Sequence, residues 1–409
     1  MIRSMFTAIS SLNLHQSFLD VISDNLANSN TTGFKASRVV FQDQFAQIMS
    51  SGAAPLGTSG GINPSQIGLG VKLGYISPSF TQGMMQSTGR STDLAIQGNG
   101  FFIYNKGEEA RYSREGSLEI DADGYLVNNS TGMRISGWLL PTGGTGPVDT
   151  NQPVGSMQIS LDATLARGTT TATLGGNLKS GLANGDSLET TIAVYDSLGA
   201  PHTPTVQFTR TGANIWNWDI SSPAAATGSG TITFGNDGRF VSSTVTVGDP
   251  VVIPGSIGAT NVAMTLDLSK ITMLSAESSI SPRSQDGLAA GSVSDIYGAP
   301  NTGEIYLVYS NGLKQLIGQL ALAHFTNPSG LLRAGQNMFK VGLNSGEAQV
   351  GSANTGGRGA ISSGYLEASN VDMAQEFTNM ILAQRGFQAS TRVITTSDEI
   401  LQELVNLKR

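Results

Sequence analysis

Apolar residues follow a seven-residue repeat at both ends of the chain and a two-residue alternation in between. A repeat of seven is typical of a helix that packs along a supercoiled seam. It predicts one helix over residues 2–28 and a second that begins near Ser369 and Asp372 and runs to the C-terminus. The repeated residues are Met5, Leu12, Leu19 and Leu26 at the first end and Met380, Phe387, Ile394 and Leu401 at the second.

The apolar stripe of the second helix is narrow. Phe377 begins the adjoining row, which continues with Gln384, Thr391 and Asp398 and is therefore mostly polar. So narrow a stripe favours a bundle in which several helices share contacts over a dimer of two helices. We expect both stripes, with Phe377, to serve self-assembly, and an antiparallel hairpin within one monomer is the alternative.

Short alternating segments between turns rich in Gly, Asn and Asp predict strands over most of the chain between the helices. If the two helical ends meet, the strands next to them share one domain and the middle block is inserted into it. The predicted fold is mainly β with terminal α-helices: coiled-coil-like ends, a discontinuous β-rich inner domain and an inserted β-rich outer domain. Its boundaries are 1–33 with 365–409 for the terminal helical domain, 34–75 for a connector of unassigned fold, 76–145 with 286–364 for the inner domain and 146–285 for the outer domain.

Composition excludes several classes of partner. Charged residues make up only 13% of the chain and the net charge is −7, without a basic run, so we expect no nucleic-acid partner. No run of eighteen apolar residues is present, so we expect no membrane insertion. Cysteine is absent, and His15, Gln16 and Asp20 interrupt the apolar stretch that a cleavable signal would need.

Residues with the potential for chemistry are scattered. Each of the three histidines lies outside any metal or triad spacing. Residues 121–124, Asp-Ala-Asp-Gly, predict a hairpin turn and not a calcium loop, because Leu126 and Gly132 stand at the loop positions that need Gly and Glu. Trp216 and Trp218 lie on one face of a strand, which favours core positions. We expect no catalytic, cofactor or metal site, and hence no enzyme.

A polar cluster after the first helix predicts a defined turn. Its amides and hydroxyl can cap the helix and bind backbone, Gly33 permits a positive φ, and Phe34 can anchor the turn. The candidate turn residues are Asn25, Asn28, Asn30, Thr31, Gly33 and Phe34.

Four segments of this chain resemble the bacterial flagellar rod and hook family. They are 23–35 (SDNLANSNTTGFK), 88–102 (TGRSTDLAIQGNGFF), 366–372 (LEASNVD) and 384–389 (QRGFQA). The insert, with 195–199 (YDSLG) and 234–238 (FGNDG), is similar to that of hook-type members.

The resemblance implies a structural subunit that self-assembles into the hook, a flexible tubular universal joint that transmits torque from rod to filament. Its implied partners are further copies of itself, rod and hook–filament junction proteins, the hook cap during assembly and the flagellar type III export apparatus. The implied location is extracellular, in the hook and basal body, after export without a cleaved signal peptide. A distal rod protein and a secreted β-rich adhesin are the alternatives.

Overall fold

The structure, a computed structural model, describes residues 2–55, 57, 60–107, 109–141 and 146–407. In this part of the chain the α-helices lie at the two ends, as α1 (Ile2–Ala27) and α2 (Met373–Leu407). Short strands and one 3₁₀ turn (Pro328–Gly330) occupy the sequence between them. The predicted fold class, mainly β with terminal α-helices, is confirmed.

Polar side chains set the start of the second helix. The Asp372 carboxylate accepts hydrogen bonds from the backbone N–H groups of Ala374 (2.9 Å) and Gln375 (3.1 Å). It thereby satisfies two of the donors that a helix leaves unpaired at its N-terminus. Ser369 accepts only from the backbone of Val371 outside the helix, so Asp372 is the cap.

The strands follow one another closely along the chain. Before residue 160 they are β1 (Ser37–Asp43), β2 (Ala46–Ser50), β3 (Ser65–Gly68), β4 (Val71–Pro78), β5 (Met85–Ser87), β6 (Leu94–Gln97), β7 (Phe101–Lys106), β8 (Glu109–Ser113), β9 (Leu118–Ile120), β10 (Leu126–Asn128), β11 (Arg134–Leu139) and β12 (Gly155–Ser156). The middle strands are β13 (Thr164–Arg167), β14 (Thr171–Asn177), β15 (Ser187–Thr191), β16 (Val194–Tyr195), β17 (Pro201–His202), β18 (Thr205–Arg210), β19 (Ile215–Ser222), β20 (Thr227–Phe234), β21 (Phe240–Ile253), β22 (Val262–Thr272) and β23 (Ser279–Gln285). The last are β24 (Leu288–Gly298), β25 (Glu304–Tyr309), β26 (Lys314–His324), β27 (Leu332–Gly335), β28 (Met338–Lys340), β29 (Gln349–Ser352), β30 (Ala360–Ser363) and β31 (Tyr365–Glu367).

Contacts divide the chain into two compact units. Unit 1 comprises Met1–Ile159, Ile296–Tyr306 and Leu316–Arg409, and unit 2 comprises Ser160–Asp295 and Leu307–Gln315. The four-part domain division drawn from the sequence stays a prediction.

Unit 1 is built on an antiparallel sheet in the order β26-β11-β7-β8-β28-β27. Aromatic rings fill one face of it, with Phe325 in edge-to-face contact with Phe101 (5.8 Å) and Tyr112 (4.9 Å). The predicted hairpin at 121–124 is present: β9 pairs with β10, and Gly124 has a φ of 81°. Asp121 accepts hydrogen bonds from two backbone N–H groups of this turn, which explains its place there.

Unit 2 contains a sheet in the order β15-β18-β19-β20-β21-β22-β14-β23. Its pairs are antiparallel except β14 with β22. Alternate residues of β19 point into an apolar core, where Trp216 is 0% and Trp218 is 1% exposed. Their predicted role as core residues is confirmed.

The segment 34–75, whose fold the sequence left unassigned, contains two antiparallel ribbons. β1 pairs with β4 and β2 pairs with β3. Glycine, serine and proline between 50 and 70 hide any strand period, which is why pattern analysis found none. Large apolar side chains of this segment are exposed, among them Phe45 (72%), between β1 and β2, and Ile48 (62%) on β2.

Candidate functional site

The two terminal helices pack against each other inside one chain. The Ser390 hydroxyl donates to the Ser11 hydroxyl (3.0 Å), and the Asn25 amide donates to the Glu376 carboxylate (3.3 Å). Early residues of α1 thus meet late residues of α2, so the helices are antiparallel. The antiparallel hairpin that the sequence left as an alternative is present in the structure.

Small residues form the buried seam of α2. Ala383, Ser390 and Ser397 lie seven residues apart and are at most 8% exposed. A Cβ atom added to Gly386 would lie 2.5 Å from the His15 ring of α1, so a larger residue would require this ring to move. Side chains without bulk let two helices pack closely, and this seam lies beside the stripe that the apolar repeat singled out.

The large apolar residues predicted for self-assembly are less buried than this seam. Phe377 is 50% exposed. The others are half-buried: Met5, Leu12, Leu19, Leu26, Met380, Phe387, Ile394 and Leu401.

Further apolar side chains on both helices face solvent. Phe6 on α1 is 65% exposed, and on α2 Ile381, Leu382 and Val405 are 58%, 61% and 69% exposed. A monomer gains nothing from apolar groups in water, and such surfaces typically mark contacts with other molecules.

Polar side chains form several of the hydrogen bonds of the turn after α1. Asn25 is 1% exposed and exchanges two hydrogen bonds of 2.8 Å with the backbone of Ser37. The Asn28 amide donates to the Asp24 backbone carbonyl (2.9 Å) and accepts from the Thr31 hydroxyl (3.2 Å). These bonds hold the helix end against the first strand.

Gly33 and Phe34 pack the turn against other segments of unit 1, whereas the Asn30 side chain is exposed. Gly33 has a φ of 70°, and a Cβ atom added there would lie 2.7 Å from the Glu115 backbone nitrogen. Phe34 is buried, with the Arg333 guanidinium 5.1 Å from its ring centre. Both residues therefore lie in close contact with other segments of unit 1.

A buried charge cluster lies directly beside this turn. Lys35 Nζ lies 2.6 Å from Glu367 Oε1, and Arg114 Nη1 lies 3.4 Å from Glu367 Oε2. The side chains of Lys35 and Glu367 are 0% exposed and that of Arg114 is 2% exposed. Two cations thus share one carboxylate in the interior of unit 1.

Backbone groups provide further partners, although the buried Nε of Arg114 has none among the described residues. Lys35 Nζ also donates to the Thr81 carbonyl (2.8 Å), the Gly83 N–H donates to Glu367 Oε1 (2.9 Å), and Arg114 donates to the Gly98 carbonyl (2.8 Å). Burial lowers the pKa of Lys35, and the attraction of Glu367 only partly opposes this. Burial likewise lowers the pKa of Arg114. Dehydration therefore outweighs attraction at both cations.

Local sequence patterns do not predict this cluster. Lys35 and Glu367 stand within two of the recognised motifs, but they are 332 positions apart, and nothing in either local pattern predicts that they meet.

Unit 2 contains a contact that histidine spacing did not predict. His202 was expected to be isolated, but its Nε2 lies 3.0 Å from Asp196 Oδ2 and 3.4 Å from Ser256 Oγ. Both partners approach the same ring nitrogen, whereas a nucleophilic triad needs them on opposite nitrogens. Burial raises the pKa of Asp196, but hydrogen bonds from His202 and from the Ser256 and Ala200 backbones outweigh it and hold that pKa well below its usual range. The contact is structural.

Among the described residues, side chains of the metal-binding types do not gather in groups of three or more. Neither helix, over its described length, is long and apolar enough to cross a membrane.

Protein-family models match the chain in four blocks, of which the second and third overlap. They are the flagella basal body rod protein at 5–35, the flagellar hook protein FlgE/F/G D1 domain at 95–174, the flagellar basal body protein FlaE D2 domain at 161–288 and the flagellar basal body rod FlgEFG protein C-terminal at 362–407. The flagellar hook protein FlgE of Borreliella burgdorferi is 36% identical, and the match covers 100% of both chains. The chain belongs to the flagellar hook protein family.

Further flagellar hook and rod proteins are similar over almost the whole of this chain. FlgE of Salmonella typhimurium is 36% identical over 99% of this chain and 100% of its own. The flagellar basal-body rod protein FlgG of Bacillus subtilis is 30% identical over the whole of both chains. The higher identity to the hook proteins supports a hook subunit over the rod alternative. The crystal structure of Helicobacter pylori FlgE2 is similar at 15% identity, with a TM-score of 0.45, over 69% of this chain and all of that one.

The first and last family blocks end and begin beside the buried cluster. Lys35 closes the first block, and Glu367 lies near the start of the last. The two chain ends of this hook protein family member therefore meet the strands at one ion cluster.

Proposed function

We propose that this chain is a structural subunit of the flagellar hook, a flexible tubular joint that transmits motor torque from rod to filament. The full-length similarity to hook proteins supports the assignment. The observation that carries it is the apolar surface that remains exposed on α1 and α2 after the helices have packed on each other. Neighbouring copies of the chain would cover that surface in a polymer.

The proposed layout follows from the chain order. The terminal helices line the inner tube, the strands next to them form a middle layer, and the block around residues 146–285 lies outside. The proposed partners are further copies of the chain, the rod and hook–filament junction proteins, the hook cap and the type III export apparatus. The proposed location is outside the cell, reached without a cleaved signal peptide, and the proposed role involves no catalysis.

Electron microscopy of purified chain under polymerising conditions tests the proposal. We expect curved tubes from the wild type and none from a Phe377→Ser/Leu382→Ser variant, whose changes lie on the exposed face of α2. Val241→Ser, at an equally exposed site of unit 2 (64%), is the matched control and should still polymerise. Tubes of normal form from the α2 variant would contradict the proposal.

Deletion of the gene separates this proposal from the rod alternative. Basal bodies with a complete rod but no hook support a hook subunit, whereas loss of the distal rod supports a rod subunit. The adhesin alternative has little support, because a sugar platform needs accessible rings and those of Trp216 and Trp218 are buried.

A further inference from the structure

Two short segments join the terminal helices to the strands of unit 1. We call residues 33–37 the N-terminal anchor and residues 364–370 the C-terminal anchor. The first follows α1 and the second precedes α2.

The anchors bind each other through the main chain. The Gly33 N–H donates to the Glu367 carbonyl (2.8 Å), and the Ala36 N–H donates to the Asn370 side-chain carbonyl (2.8 Å). The C-terminal anchor also binds the strands, because the Ala368 N–H donates to the Met84 carbonyl (2.8 Å). The two anchors therefore bind each other, and the C-terminal anchor also binds the residue before β5.

The buried ion cluster contains one charge from each anchor and one from the segment that follows β8. Lys35 belongs to the N-terminal anchor, Glu367 to the C-terminal anchor and Arg114 to the segment after β8. If the N-terminal anchor docked alone, Lys35 and Arg114 would be buried without their carboxylate. If the C-terminal anchor docked alone, Glu367 would keep only the longer contact of 3.4 Å to Arg114.

We propose that the Lys35–Glu367–Arg114 cluster is a latch that makes docking of the two chain ends a single event. An ion pair in a protein interior contributes little net stability compared with apolar groups of the same shape, but removing one partner is costly because a charge is left buried and unpaired. The latch therefore disfavours every state in which only one end is docked. A change that releases one terminal helix from the strands of unit 1 should therefore release the other as well.

Apolar side chains at the three cluster positions would remove the coupling between the anchors. Methionine and leucine at these three positions would fill similar space without a charge that needs a partner, so a half-docked chain would cost less. The charges contribute coupling between the ends, and stability is not their main effect.

Hydrogen exchange of the full-length chain tests the latch through amides that bind one anchor to the rest of unit 1. The Ser79 N–H, which donates to the Ala36 carbonyl, reports on the N-terminal anchor. The Gly364 and Ala368 N–H groups, which donate to the Asp93 and Met84 carbonyls, report on the C-terminal anchor. We expect Glu367→Gln to reduce the protection of both anchors by the same factor, about 100-fold or more, because two cations lose their carboxylate. The matched control is Glu119→Gln, which removes the exposed pair with Arg90 and should change protection by less than about 5-fold.

A second variant keeps the test decisive if Glu367→Gln unfolds unit 1. In Lys35→Met/Arg114→Met/Glu367→Leu the charges are absent, and we expect both anchors to stay protected but to open with different factors. Amides of unit 2 serve as the internal reference for a folded chain in every sample. Loss of protection at one anchor only after Glu367→Gln, or identical opening of both anchors in the triple variant, would overturn the proposal.

Discussion

Replacement of Gly33 by alanine should damage the turn after α1 far more than an ordinary surface substitution. Gly33 has a φ of 70°, where a side chain meets its own backbone. The new methyl group would also lie 2.7 Å from the Glu115 backbone nitrogen and 3.0 Å from the Arg114 backbone carbon. Neither neighbour is a flexible side chain, so the turn itself must move.

The free energy lost in Gly33→Ala has two contributions. An alanine held at such a φ costs about 1–2 kcal/mol. Movement of the turn weakens the 2.8 Å hydrogen bond from the Gly33 N–H to the Glu367 carbonyl, which is worth about 1 kcal/mol. We expect Gly33→Ala to lower the free energy of opening of unit 1 by about 2–3 kcal/mol.

Gly132→Ala is the matched control, because it isolates the first contribution. Gly132 has a φ of 65° but no atom within 4 Å of an added Cβ, so its substitution should cost only about 1–2 kcal/mol. Hydrogen exchange of β8 amides in a urea series measures both values. Equal losses in the two variants would refute the argument that close approach to residues 114 and 115 requires glycine at position 33.

Three further predictions concern other parts of the chain. Ala383→Leu overfills the helix seam and should lower the free energy of docking between α1 and α2 by about 1–3 kcal/mol, measured by circular dichroism and hydrogen exchange. Leu382→Ala, at the exposed neighbouring position, should change this free energy by less than about 0.5 kcal/mol, and the reverse order of the two effects would contradict the position of the seam. Trp218→Ala should destabilise unit 2 by about 3–5 kcal/mol in urea unfolding, and a loss under 1 kcal/mol would contradict its core position. Because folding lowers the pKa of Asp196, its carboxylate stabilises unit 2 above a pH of about 4 and loses that effect as the pH falls. Asp196→Asn should therefore lower the free energy of unfolding of unit 2 at pH 7 and make it depend less on pH in acid. An unchanged dependence of this free energy on pH would refute the prediction.

The sequence predicted local features where a short pattern has one physical cause. The seven-residue repeat required a helix at each end, and α1 and α2 begin and end close to the expected residues. The residues around Asp121 required a tight turn, because a short carboxylate and a glycine suit the hairpin there. Gly33 was expected to need a positive φ, and it has one.

Local sequence patterns predicted least about contacts between residues that are far apart along the chain. The repeat drew attention to large apolar residues such as Phe387, but small size is the property that lets α1 approach Ala383, Ser390 and Gly386. The size of these α2 residues matters only because α1 packs against them. The pattern of apolar residues in one helix does not show which other helix packs on it. The contact of His202 with Asp196 was missed for the same reason, because it depends on how the chain folds back in unit 2.

By itself, the sequence determined the helices, the turn chemistry and the family, since each depends on residues close together along the chain. Only the tertiary structure decided that both ends pack within one chain and that Lys35, Arg114 and Glu367 share one buried site. The physical reason is that burial belongs to the folded chain: a lysine and a glutamate 332 positions apart are ordinary charged residues until folding removes both from water and leaves each dependent on the other.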